Sequence, residues 1–155
     1  MKILFLDFDG VLHPLGLALE PGRTIRGKPV ARAVTTRYFQ WNELLAQLLT
    51  QAGAHDLRIV VHSTWRTSRT SEQLAELLGP LAPWYGGAVS AALDKNDAIV
   101  QWLAQAEQPV DYRILDDTAS SFRDADQVAR LVLCHSLTGV TEPAVQQALQ
   151  EWLTA

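Results

Sequence analysis

The chain has 155 residues, 48% of them hydrophobic and 19% charged, with 13 Lys+Arg against 17 Asp+Glu for a formal net charge of −4. That composition excludes disorder and low complexity, and the length suits a single domain whose core needs no disulfide or structural-metal staple. The lone cysteine, Cys134, excludes an intrachain disulfide and a cysteine-built zinc cluster.

No apolar run approaches the roughly 18 residues of a membrane span. The short ILFL run meets Asp7 too early for a secretory leader, so a reducing, cytoplasmic setting is expected. The net acidity argues against nucleic-acid binding through overall attraction alone.

Lys2 to Leu6 is a short apolar run with two large β-formers and reads as a buried strand, ended by Asp7-Phe8-Asp9-Gly10. From Leu12 to about Thr36 the chain lacks a period and is punctuated by Gly16, Pro21-Gly22, Gly27 and Pro29. This predicts a loop or flap over 13–35, with room for a small hairpin. A helix is predicted from about Thr36 to Ala52, with Phe39, Leu44, Leu45, Leu48 and Leu49 on one stripe and Gly53 closing it.

Leu57 to His62 is a second buried strand, followed by Ser63-Thr64-Trp65-Arg66, and Ser71 to Leu78 is a short helix stopped by Gly79-Pro80. A brief strand is expected over Gly87 to Ser90. Asp94 then caps a helix running to about Glu107, with Ile99, Trp102 and Leu103 facing inward. Tyr112 to Leu115 is a strand ending at Asp116-Asp117, Leu131 to Cys134 another, and Thr141 to Leu153 a final helix opened by Thr141, Glu142 and Pro143. Strands alternating with helices imply parallel crossover units, so the fold expected is α/β: one three-layer, Rossmann-like domain over 1–155 with a mostly parallel five-stranded sheet.

In an open parallel sheet, ligands bind beyond the carboxyl ends of the strands. The predicted strands deliver Asp7 and Asp9, Ser63 and Thr64, and Asp116 and Asp117 to that edge. Converging carboxylates raise one another's pKa unless something positive lies among them, and oxygen-only ligands suit Mg²⁺. Residues two apart in an extended chain point the same way, so Asp7 and Asp9 can serve one substrate. Gly10 gives the turn after them its backbone freedom.

These segments resemble a family. LFLDFDGVLHP looks like the first motif of the haloacid dehalogenase (HAD)-like phosphohydrolases and IVVHSTWR like the second. Lys95 at a helix start matches the third and RILDDT the fourth, all in the family's order. STWR and the GVTEP turn further resemble small HAD domains linked with nucleic-acid repair proteins.

The resemblance implies Asp7 as a nucleophile forming an aspartyl-phosphate and Asp9 as general acid/base. It implies Ser63 as a ligand of the transferring phosphoryl group and Lys95 as its neutralising cation. Mg²⁺ would be held by Asp7, Asp116 and Asp117 with the carbonyl of Asp9. Thr64 offers a second hydroxyl for the Ser63 role, although Ser63 comes first after the strand. The acid at Asp9 favours hydrolysis or phosphoryl transfer, because relatives that are not phosphatases tend to lack it.

Neither stretch between motifs holds the roughly 50 residues of a separate cap domain, which leaves an open site suited to a large substrate. Between Pro21 and Asn42 lie Arg23, Arg26, Lys28, Arg32 and Arg37 with no acid. With Arg66 and Arg69, these could form a basic rim for a polyanion; Arg23, Arg26, Arg66, Gly10 and Thr64 are the substrate-binding candidates. The function expected is a Mg²⁺-dependent phosphatase acting on a phosphorylated macromolecule or a nucleotide or nucleic-acid end. Alternatives are a catalytically weak phosphate-binding module or a phosphatase of small esters.

A response-regulator receiver does not fit, since receivers carry the phospho-acceptor after the third strand. Tyr38, Phe39 and Trp41 offer stacking surface, although helical spacing assigns at least two of them to the core. His62 and His135 read as hydrogen-bonded structural histidines, His13 as a better candidate for the rim than either, Cys134 as buried and inert, and Trp84, Trp102 and Trp152 as packing. Trp65 is expected to pack beneath the site.

Overall fold

The computed structural model describes residues 1–15, 17–33 and 37–155, with the backbone alone for 17–20 and 31–33. Gly16, the Thr36 helix start and the side chain of Arg32 lie outside the described residues. Among the described residues seven strands form, in chain order β1 Lys2–Leu6, β2 Leu17–Ile25, β3 Lys28–Ala33, β4 Leu57–Val61, β5 Tyr85–Ala88, β6 Asp111–Asp116 and β7 Leu131–Leu133. The α-helices are α1 Asn42–Gln51, α2 Ser71–Leu78, α3 Lys95–Gln105, α4 Ala125–Arg130 and α5 Pro143–Thr154.

Five strands build one sheet in the order β5-β4-β1-β6-β7, and every pairing in it is parallel. The central strand β1 is buried on both faces, and its alternation sorts the core into two layers. Leu4 and Leu6 face one side with Ile59, Leu115, and Leu45 and Leu49 of α1, where α2 and α5 also pack. Ile3 and Phe5 face the other side with Val60, Ile114, and Ala98 and Ile99 of α3. A strand buried on both faces reads as a continuous apolar run, which is why β1, β4 and β6 are evident from sequence.

The helix ends follow local chemistry. The Asp94 carboxylate accepts from the Asp97 N–H at 2.8 Å at the start of α3, as expected, and Thr70 and Gln73 form a reciprocal capping box at α2. Three expectations are corrected. The α1 helix begins at Asn42, because Phe39 adopts a positive φ of 57° that a right-handed helix cannot include, so Phe39 packs on the core from a turn. The last helix begins at Pro143, and Thr141 belongs to a preceding 3-10 turn. The third strand of the sheet in chain order covers Tyr85–Ala88, slightly earlier than its Gly/Val pattern suggested.

The small hairpin is present as β2 and β3, joined by Arg26 (φ 53°) and Gly27 (φ 74°). Both central residues in the left-handed region match what tight two-residue hairpin turns require. The hairpin forms its own two-stranded sheet, an arm inserted between β1 and α1. Among the described residues, no helix is long and apolar enough to cross a membrane.

Candidate active site

The chain passes from β1 outward to β4 and β5, then back across to β6 and β7, so the sheet's topological switch lies at β1 and its two neighbours. Ladder bonds persist to the carboxyl edge: Asp7 N–H donates to the Leu115 carbonyl at 3.0 Å and His62 N–H to Leu6 at 3.1 Å. The residues immediately after these strands therefore emerge at one fixed level. Asp7 is 3% exposed and Asp116 is fully buried there.

The Lys95 ammonium, at the first turn of α3, reaches both, 3.2 Å from Asp7 Oδ2 and 2.8 Å from Asp116 Oδ2. Asp116 is further fixed by His62 Nε2 at 2.7 Å on Oδ2 and by the Thr118 N–H at 2.8 Å on Oδ1. Burial alone would push Asp116 up, but the His62 bond and the Lys95 charge hold it below the usual carboxylate range. His62 is itself buried, which pushes its pKa down. The neutral ring gives its Nε2 proton to Asp116, and Nδ1 has no protein partner.

Asp7 behaves oppositely. Burial, then the Asp116 charge, push its pKa up to about 8 against the opposing pull of Lys95. Asp117 is also raised, by burial and by Asp116. Lys95 loses some basicity to burial, but Asp7 and Asp116 more than offset this and leave its pKa raised.

Asp9 belongs to a different network. Its Oδ1 lies 2.7 Å from His13 Nε2, and the Trp65 indole N–H reaches both carboxylate oxygens, at 3.2 and 3.1 Å. The Phe39 N–H donates to His13 Nδ1 at 3.1 Å, so Nδ1 is the acceptor and Nε2 carries the proton given to Asp9. The His13 bond is the largest influence that holds Asp9 below the usual carboxylate range. His13 is fully buried, which removes it as a rim candidate, and Trp65 joins packing to a polar contact with the carboxylate. No sequence signal marked the His13 pair, because an i,i+4 spacing brings side chains together only on a helix and 9–13 is a turn.

The remaining candidates divide. Ser63 is fully buried and its Oγ accepts from the Trp65 N–H at 3.3 Å, whereas Thr64 is exposed and lines a cavity of about 400 Å³ with Lys95. Arg66 is the clearest departure from expectation. It is 7% exposed, and its guanidinium donates to the carbonyls of His62, Ser63, Ser90 and Leu93 at 2.8, 3.1, 3.0 and 2.6 Å.

Four of its five donor hydrogens are thus spent on backbone, which leaves little of the fork for a phosphate. Arg66 instead ties the turn carrying Ser63 to the loop that delivers Lys95. Arg23 and Arg26 lie exposed on the arm. His135 accepts from the Leu137 N–H at 3.2 Å, and burial pushes the Cys134 thiol up, so both are structural.

One oxygen each from Asp7, Asp116 and Asp117 lie within 4.8 Å of one another. The donor set is hard oxygen without sulfur, and Asp7 and Asp117 are raised by burial and then by the Asp116 charge, both of which a cation would offset; both features fit Mg²⁺. Gly10 (φ 73°) completes the cradle, because any Cβ there would overlap the Asp117 carboxylate. The Asp9 side chain is turned to His13 and Trp65 and is not part of this acidic group.

A parallel Rossmann-like sheet with paired acids and a lysine at its carboxyl edge defines a HAD-like domain. The model of the HAD domain in Swiss Army Knife RNA repair proteins matches residues 3–145, and the chain belongs to that family. No curated protein and no solved structure matches the chain. The family suggests phosphohydrolase-type activity linked to RNA repair.

Proposed function

We propose that the protein is a Mg²⁺-dependent phosphatase of phosphorylated nucleic-acid or nucleotide ends, acting through an aspartyl-phosphate on Asp7. The observation that carries this is the separation of two carboxylates two residues apart. Asp7 lies with Lys95 and Asp116, while Asp9 is held apart by His13 and Trp65.

An Asp7 oxygen attacks phosphorus, the ester P–O bond breaks, and the leaving oxygen takes its proton from Asp9. Water then attacks the acyl phosphate, giving its proton to Asp9 and releasing inorganic phosphate and free Asp7. The donors on Asp9 favour its carboxylate form, which suits the second step. For the first, the negative charge of an arriving phosphate ester raises its pKa toward the acid form.

Lys95 neutralises the transferring group, and Ser63, on a turn whose carbonyl Arg66 bonds, donates to it. Mg²⁺ at Asp7, Asp116 and Asp117 would supply the positive charge that keeps Asp7 ionised and shields phosphoryl oxygens. The arm's exposed Arg23, Arg26 and Lys28 favour a polyanion, and the family's link to RNA repair points the same way.

The test is a Mg²⁺-dependent screen of phosphorylated oligonucleotides, nucleotides and phosphopeptides, with Asp7→Asn alongside. Phosphate release that Asp7→Asn abolishes supports the assignment. Full activity in that variant, or none in the wild type, sinks it.

A further inference from the structure

Tyr38 is exceptional among the exposed side chains. It is 62% exposed, yet two rings meet it edge to face: His13 at 5.1 Å and 88°, and Trp65 at 5.6 Å and 70°. The backbone beneath it is strained. Phe39 holds a positive φ of 57°, pinned by its N–H bond to His13 and by its ring against Phe8, His13 and Trp65.

The turn thereby drives Phe39 inward and leaves Tyr38 outward. The Arg69 guanidinium also meets Trp65, 5.0 Å from the indole centroid. Trp65 itself donates to Asp9. An exposed phenol ring and a guanidinium thus both contact the indole that donates to Asp9.

We propose that Tyr38, with Trp65 and Arg69, forms a subsite for the nucleobase of the nucleotide whose terminal phosphate reacts at Asp7. This rests on the phosphatase reading above, which places the leaving oxygen at Asp9. The leaving group of a phosphorylated polynucleotide end is the strand itself, departing through the sugar hydroxyl of its terminal nucleoside residue, so a sugar occupies the space next to Asp9 and its base meets the first exposed π-face beyond. Stacking on aromatic rings and arginine tolerates every base, because each has such a face. A phosphopeptide leaving group brings no obligatory flat ring. The charge around Tyr38 agrees with a polyanion: Arg37 is its neighbour, and no acid occurs between Pro21 and Asn42.

Binding to the Asp7→Asn protein in Mg²⁺ tests this without turnover. The probes are single-stranded oligonucleotides with a 3′-terminal or a 5′-terminal phosphate, each with the terminal base present or abasic. At one of the two ends, the base-bearing probe is expected to bind roughly 10- to 100-fold more tightly than the abasic one. Adding Tyr38→Ala should abolish that difference, and Tyr38→Phe should keep it.

Equal binding of base-bearing and abasic probes at both ends overturns the proposal. So does a base preference that survives Tyr38→Ala, or a phosphopeptide whose binding falls with Tyr38→Ala as much as the oligonucleotide's. The phosphatase reading fails by a different result: wild-type protein in Mg²⁺ releasing phosphate from none of the probes. A Tyr38-dependent base preference would still establish the subsite in that case.

Discussion

His13 gives its Nε2 proton to the Asp9 carboxylate at 2.7 Å, one helical turn along in sequence although no helix joins them. Because Phe39 N–H occupies the other ring nitrogen, the tautomer is set by the backbone rather than by solvent. His13 therefore both orients Asp9 and lowers its pKa.

Replacing His13 with Ala removes the larger of the two donors to Asp9 and orphans the Phe39 N–H. Asp9 should titrate at higher pH, so the acidic limb of the pH–kcat profile moves upward, because ionised Asp9 is needed to deprotonate water. Stability should fall by about 1–3 kcal/mol, the cost of a lost buried partner. A destabilised variant with an unmoved pH profile would reduce His13 to packing.

The metal-free protein should lose stability as pH rises. Asp7 has a folded pKa of about 8 against 3.8 for an ordinary aspartate, so the folded state binds more protons over that interval. Its contribution is complete below the lower value and disappears as pH passes the upper one. Melting in chelator should show Tm falling toward pH 8 by several degrees, at about 2–4 °C for each 1 kcal/mol. Asp7→Asn should flatten the slope, and Mg²⁺ should do the same in the wild type. A Tm that rises over this range contradicts the assignment.

Gly10→Ala should damage the site more than the fold around it. The new methyl group would occupy the position of the Asp117 carboxylate, and the positive φ adds strain of about 1 kcal/mol or more. Calorimetric titration with Mg²⁺ should show weakened binding beyond what the stability loss explains. Unchanged Mg²⁺ affinity would separate Asp117 from the metal site.

Arg66→Lys separates two roles for one side chain. As a brace between the Ser63 turn and the Lys95 loop, its loss should cost about 2–4 kcal/mol, since a lysine cannot span four carbonyls. A rim arginine gripping substrate would instead raise KM while leaving the denaturation midpoint in place. Urea unfolding measured beside KM distinguishes them.

The strands were readable because β1, β4 and β6 each carry a short apolar run (Ile3–Leu6, Ile59–Val61, Ile114–Leu115), and the acids that follow β1 and close β6 mark the carboxyl edge without further knowledge. The α4 helix was not, since six residues with no apolar stripe leave only the Asp124 cap as a signal. Phe39 misled for the opposite reason: its spacing fits a helical stripe, but its backbone is held out of the helix by contacts to residues distant in sequence. Arg66 beside a phosphate motif has the composition of a ligand-gripping residue. Only the carbonyls of the Ser90 to Leu93 loop, brought near by the β5 crossover, reveal it as a brace.

The clasp between His13 and Phe39 lies where the chain leaves for the arm and where it returns. With Leu15 N–H also donating to Ser136, the two ends of the insertion are joined before the hairpin begins. Loop closure is settled at the base, and the entropic cost of a longer or shorter excursion grows only slowly with its length. The arm is accordingly a graft point, where a hairpin of another length or charge can be exchanged without moving Asp9.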